Sequence, residues 1–142
     1  MNPPRKIVLD TNILVSAALR NGSVPHLALL KARAESWLLA CDETVSEFRE
    51  VLLGKKFDGA VDRGLREEVV QEYERLCILI PIPTPIRACR DPKDDMVFEC
   101  AILAGASLIV AGDKDLLAVE IYEGIRVLTP RDFLRQLESP AP

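Results

Sequence analysis

Short apolar runs that recur between helix-like stretches constrain this chain more than any other feature. Lys6-Ile-Val-Leu-Asp10 is followed by Trp37–Cys41, Cys77–Ile82, Ser107–Ala111 and Ile125–Leu128. Runs this short, rich in branched apolar residues and bounded by turn-forming residues, read as buried strands. Between them, Asn12–Arg20, Val24–Glu35, Asp42–Leu53, Asp62–Leu76 and Lys93–Leu103 read as helices, and Asn21-Gly22-Ser23, Gly54 and Gly105 supply stops. Within Asp62–Leu76, the expected inward face is Leu65, Val69, Val70, Tyr73 and Leu76. Thr129 caps a last helix that opens with Pro130, and Asp132 completes the capping pattern. Strands alternating with helices predict an α/β domain with a mainly parallel sheet. A chain of 142 residues that is 49% hydrophobic suits one domain over residues 1–142, with a core over about 6–135. No apolar run is long enough to span a bilayer, and Met1–Lys6 lacks the layout of an export signal, so a cytoplasmic protein is expected.

Several chemistries are disfavoured. Cys41, Cys77, Cys89 and Cys100 form no CxxC pair and lie far from the single histidine, His26, which argues against a zinc site. They are expected to act mostly as buried small hydrophobes. With one histidine, acid–base work must rest on carboxylates, lysines or a metal-activated water. The net charge of −4 argues against a non-specific DNA coat protein, but it suits an enzyme that holds cations with clustered acids.

In parallel α/β sheets, ligands gather beyond the carboxyl ends of the strands, and this chain puts acids there. Asp10 follows the first strand directly. Asp113 lies two residues past Ala111, with Asp115 just beyond, and Glu47 sits one turn into the helix after the second strand. Asp94 and Asp95 open the helix that leads back to Ser107. Converging carboxylates repel one another unless a cation neutralises them. Mg²⁺ needs only a few carboxylate oxygens because it keeps several waters, and one or two such ions suffice for in-line attack on a phosphodiester.

Each acid also has a plainer role. Thr44-Val-Ser-Glu47 matches a capping box, Asp113 and Asp115 suit a turn, Asp10-Thr-Asn12 suits an Asx turn, and Asp94 complements a helix dipole. Taken singly these roles are at least as plausible as catalysis; their joint placement along one sheet edge favours a metal site.

The same residues resemble the PIN-domain family. Ile7-Val-Leu-Asp10-Thr-Asn12 is similar to that family's opening strand and turn, and Thr44–Leu52 to its second acidic motif. Arg90–Ala101 resembles the third and Ala106–Leu117 the fourth, while Thr129–Leu134 resembles the closing segment. The nearest subgroup resembles VapC-like toxins of toxin–antitoxin systems. The resemblance implies a three-layer α/β/α fold and an endoribonuclease dependent on Mg²⁺ or Mn²⁺ that leaves a 5′-phosphate and a 3′-hydroxyl. By motif position the core acids are Asp10, Glu47, Asp94 and Asp113, with Asp10, Asp94, Asp113 and the auxiliary Asp115 toward metal. Asp94 is preferred over Asp95 because it stands seven residues before Ala101, and Asn12 is a second-sphere or substrate-contacting residue. Ala111 stands where the family commonly carries threonine. A homodimer and a small antitoxin that blocks the acidic cleft are implied as partners.

RNA requires positive charge outside the acids, for which Arg20, Lys55, Lys56, Arg87, Arg90 and Lys93 are candidates. Trp37 reads as a core residue rather than a base-stacking platform, and Val24–Glu35 as a buried helix or a dimer contact. Competing readings are a PIN-like RNA-binding or regulatory module with little cleavage, a Mg²⁺-dependent phosphohydrolase and a DNA flap-type nuclease. Against the second, Asn12 stands where haloacid dehalogenase-type enzymes carry a second Asp; against the third, the chain lacks length for flap-threading elements.

Overall fold

The computed structural model of the chain describes residues 5–81 and 92–136, with residues 92–95 described through their backbone alone. Strands β1 (Arg5–Leu9), β2 (Ser36–Ala40), β3 (Ile78–Leu79), β4 (Leu108–Val110), β5 (Ile121–Tyr122) and β6 (Ile125–Leu128) form one sheet in the order β3-β2-β1-β4-β6-β5. All neighbours are parallel except β5, which pairs antiparallel with β6. Chain order runs outward from β1 through β2 to β3, and then restarts on the other side of β1 with β4. The sheet's topological switch therefore falls between β1 and β4, whose register sets Leu9 opposite Val110.

Alternation along these strands builds two cores. Ile7, Leu9, Leu38, Ala40, Leu108 and Val110 pack with α1 (Thr11–Leu19), α2 (Val24–Glu35), α3 (Asp42–Leu52), α4 (Arg63–Leu76) and α7 (Pro130–Arg135). Val8, Leu39, Ile109, Ala111 and Val127 face the other way, against α5 (Pro92–Ala104) and α6 (Lys114–Val119). This is the expected three-layer α/β/α arrangement with a mainly parallel sheet. No single described helix is long and apolar enough to cross a membrane.

Several expectations need correction. On α4 the buried residues are Arg66, Val70 and Tyr73, whereas Leu65 is 55% exposed and Val69 37% exposed. The helical period that buries Val70 and Tyr73 also buries position 66, and Arg66 is tolerated there because carbonyls meet its guanidinium. It donates to the carbonyls of Leu52, Gly54 and Val61 and pairs with Asp58 at 2.6 Å. Leu65, Val69 and the half-buried Leu76 instead line an open apolar groove of about 640 Å³ between α1, α2 and α4.

Trp37 is 45% exposed, because only the last three residues of β2 lie between the helical layers; the Lys6 ammonium sits 6.0 Å from its ring centre. On α2 only Ala28 and Ala32 are buried, while Leu27 and Leu30 stay exposed. The third expected strand is reduced to Ile78–Leu79, and Ile82 lies outside the described residues. Helix α6 and strand β5 carry no strong sequence signal. The β5–β6 hairpin turns on Glu123 and Gly124, both at positive φ, as a tight two-residue turn requires.

Candidate active site

Asp10 ends β1 and begins α1. Its amide donates to the Val110 carbonyl at 2.9 Å, so the β1–β4 ladder runs on into the turn. The residue is only 5% exposed, yet its side chain does not cap α1. The Asx-turn reading therefore does not account for its carboxylate.

Glu47 is also released from the plainer role. Helix α3 begins at Asp42 with Cys41 as its cap, and the residue three positions on is Thr44. The Thr44 hydroxyl accepts from the Cys41 amide at 3.1 Å and donates to the Cys41 carbonyl at 3.0 Å. Glu47 lies a turn deeper and accepts a hydrogen bond from the Thr11 hydroxyl at 3.3 Å. That bond joins the second acidic motif to the residue next to Asp10. Glu47 also lines a groove of about 460 Å³ with Asp42, Glu43, Ser46, Glu50 and Met96. Met96 belongs to α5, two residues beyond Asp94 in the chain.

Asp113 follows β4 and does cap: its carboxylate accepts the Asp115 amide at 2.7 Å at the start of α6. It combines the plainer role with a place at the sheet's carboxyl edge. Asp115 is exposed in the first turn of α6, and Asn12 is exposed on α1. Ala111 is fully buried in the second core, its amide donating to the Leu128 carbonyl at 2.9 Å. The side chains of Asp94, Asp95 and Lys93 and the whole of Arg87 and Arg90 lie outside the described residues, although Asp94 falls in the first turn of α5. Arg20, Lys55 and Lys56 are exposed.

Among the described residues no three ligating side chains stand close enough to hold a metal ion. The candidate set includes Asp94, whose side chain is outside them. In its chemistry the set fits a hard cation: Asp10, Glu47, Asp94 and Asp113 offer only carboxylate oxygens, the donors that Mg²⁺ and Mn²⁺ prefer over thiolate or imidazole.

Besides Arg66, the buried polar residues Thr11 and Glu99 were not singled out by sequence. Thr11, 5% exposed, could have been found from helical period, since Asn12 and the exposed Ser16 share the outer face of α1 and leave Thr11 with Leu14 and Val15 on the inner one. Glu99, 5% exposed on α5, lies inside the third motif and carries no sequence signal separating it from a surface acid.

Near the site, Cys41 and Cys100 are both fully buried. A hydrogen bond from the Cys100 thiol lowers the Cys41 thiol to about 7, against its burial, with bonds to Thr44 assisting. Cys100 is pushed far up by the same contact and by burial, and burial raises Cys77 to about 11.

Comparison with known proteins agrees with this architecture. The sequence model of the PIN domain family matches residues 6–115. An uncharacterized protein of Methanocaldococcus jannaschii, MJ1680, is 24% identical over 146 residues, spanning 94% of this chain and 92% of that protein. Among solved structures, PAE2754 from Pyrobaculum aerophilum superposes with a TM-score of 0.62 at 17% identity, over 92% of this chain and 88% of that one. VapBC2 from Rickettsia felis, bound to a DNA fragment from its promoter, gives a TM-score of 0.58 at 11% identity, over 87% of this chain and 98% of that one. These identities make the structural likeness one of fold. The matched stretch takes in Asp10, Glu47, Asp94, Asp113 and Asp115, and on that match the chain belongs to the PIN domain family, whose members are in general nucleases.

Proposed function

We propose that this protein is an endoribonuclease dependent on Mg²⁺ or Mn²⁺, and the toxin component of a toxin–antitoxin pair. The observation that carries the reading is the switch between β1 and β4. Asp10 and Asp113 leave these adjoining strands on the same edge, and a hydrogen bond ties Glu47 to Thr11, the residue beside Asp10. Asp10, Asp94 and Asp113 would hold the ion directly or through water, with Asp115 as an auxiliary. Once bound, the ion would neutralise these acids and supply Lewis-acid activation of water and phosphate. Glu47 orients the attacking water, takes its proton, or contributes to a second ion. Exposed Asn12 meets the substrate or the outer sphere of the site, and Arg20, Lys55, Lys56 and Lys93, with Arg87 and Arg90, supply charge for the RNA backbone.

A small antitoxin protein is the proposed partner, supported by the VapBC2 likeness. A homodimer is supported by the exposed Leu27 and Leu30 of α2, which a second copy would cover. The cytoplasm is the proposed location. The test is cleavage of single-stranded and structured RNA by the purified protein, with EDTA and with Mg²⁺ or Mn²⁺ restored. Metal-dependent cleavage, abolished in a folded Asp10→Asn variant, is expected. RNA binding without cleavage under every metal condition would favour the regulatory-module reading instead.

A further inference from the structure

We infer that Thr11 is a positioning residue for the reaction, acting through the hydrogen bond from its hydroxyl to Glu47. The inference rests on the nuclease reading and adds a residue to it. Thr11 is the first residue of α1 and is buried, while its neighbour Asn12 faces solvent. A threonine inside a helix commonly returns its hydroxyl to a carbonyl three or four residues back. At position 11 those residues belong to β1, whose carbonyls serve the sheet, and the hydroxyl is instead donated across 36 positions to Glu47 Oε2.

A β-branched side chain has few rotamers, so the donor is held in place by the backbone that also carries Asp10. Glu47 is a long, half-buried side chain with several rotatable bonds. One bond from a fixed donor selects among its rotamers and engages Oε2. On top of the β1–β2 pairing and the packing of α1 on α3, this bond ties the second acidic motif to the residue next to Asp10. A site built on converging carboxylates needs their spacing defined before a cation or substrate arrives.

The test compares Thr11→Val, which keeps the shape and removes the donor, with Thr11→Ser, which keeps the donor. Calorimetric Mn²⁺ titration and steady-state RNA cleavage are measured on both, alone and with Glu47→Gln. Thr11→Val is expected to fold, to bind Mn²⁺ several-fold more weakly and to lose about tenfold in kcat with little change in KM, the size of one hydrogen bond to a charged group. Thr11→Ser should stay within about twofold of the parent, because the bond is retained. In the Glu47→Gln background, Thr11→Val should add less than about twofold, since residues acting as a unit are not additive. A cleaving parent protein whose Thr11→Val variant matches it in Mn²⁺ affinity and kcat, or whose two substitutions multiply independently, would overturn this inference alone. A parent that neither binds Mn²⁺ nor cleaves RNA would overturn the nuclease reading and this role together.

Discussion

Thr44, not Glu47, closes the cap of α3 with Cys41: its hydroxyl accepts the Cys41 amide at 3.1 Å and returns a bond to the Cys41 carbonyl at 3.0 Å. The two residues that the sequence pairs in one capping box therefore separate into a structural one and one available for chemistry. Thr44→Val should destabilise the fold by about 1–2 kcal/mol, as loss of a cap does. Glu47→Gln should change stability by no more than about 0.5 kcal/mol, because it caps nothing and glutamine can still accept from Thr11. Urea unfolding of the two variants checks this, and a Glu47→Gln loss as large as that of Thr44→Val would contradict the assignment.

Asp113 carries two roles that one substitution separates. Asparagine is as good a helix cap as aspartate, so Asp113→Asn should leave the melting temperature nearly unchanged while removing the charge a cation needs. Asp113→Ala should also lose the bond to the Asp115 amide and about 1 kcal/mol of stability. Cleavage should fall in both variants, with thermal unfolding telling them apart. Full cleavage by Asp113→Asn would remove Asp113 from the site.

Arg66 is the costliest polar residue to delete outside the site. Its guanidinium answers three carbonyls at the junction of α3 and α4, and its partner Asp58 is 56% exposed. Arg66→Met should cost about 3–5 kcal/mol, because the charge and its bonds go while buried carbonyls remain. Asp58→Asn should cost at most about 1 kcal/mol, since solvent screens the ion pair. Equal losses in the two variants, read by urea unfolding, would show that the ion pair and not the carbonyl set carries the junction.

Cys41 gives the fold a dependence on pH in a defined window. Its thiol titrates near 7 in the folded chain, against 9 for an unperturbed thiol, because Cys100 donates to it. The unfolded chain therefore binds more protons between those values, and Cys41 contributes stability that grows as pH rises from about 7 to 9. Cys100 and Cys77, both raised, act in the opposite sense only above pH 9. The stability difference between the parent and Cys41→Ala should widen between pH 7 and pH 9 by about 1–2 kcal/mol. A difference that is constant or shrinks over that range would contradict the Cys100 contact.

The layers were legible because they rest on strong periodic signals. Ile7-Val-Leu, Leu38-Leu-Ala and Leu108-Ile-Val have few alternatives to buried strands, and α2 falls on its expected range, Val24–Glu35. What escaped depends on tertiary context. Leu65 and Val69 have the spacing of a buried stripe, but Arg66 takes the inward place because carbonyls from α3 and the following loop converge on it. Ile121–Tyr122 is too short to announce itself, and its pairing depends on a turn with two residues at positive φ. At the candidate site, the places of Asp10 and Asp113 just past adjoining strands follow from the sequence, but the Thr11–Glu47 bond spans distant segments and no local pattern predicts it.

The most direct measurement is an anomalous diffraction map from crystals soaked in Mn²⁺. A peak is expected about 2.0–2.2 Å from carboxylate oxygens at the β1–β4 switch, with Asp10 among the ligands, and it should be lost in Asp10→Asn crystals. A peak bound elsewhere, or one that persists unchanged without the Asp10 carboxylate, would contradict the proposed metal site.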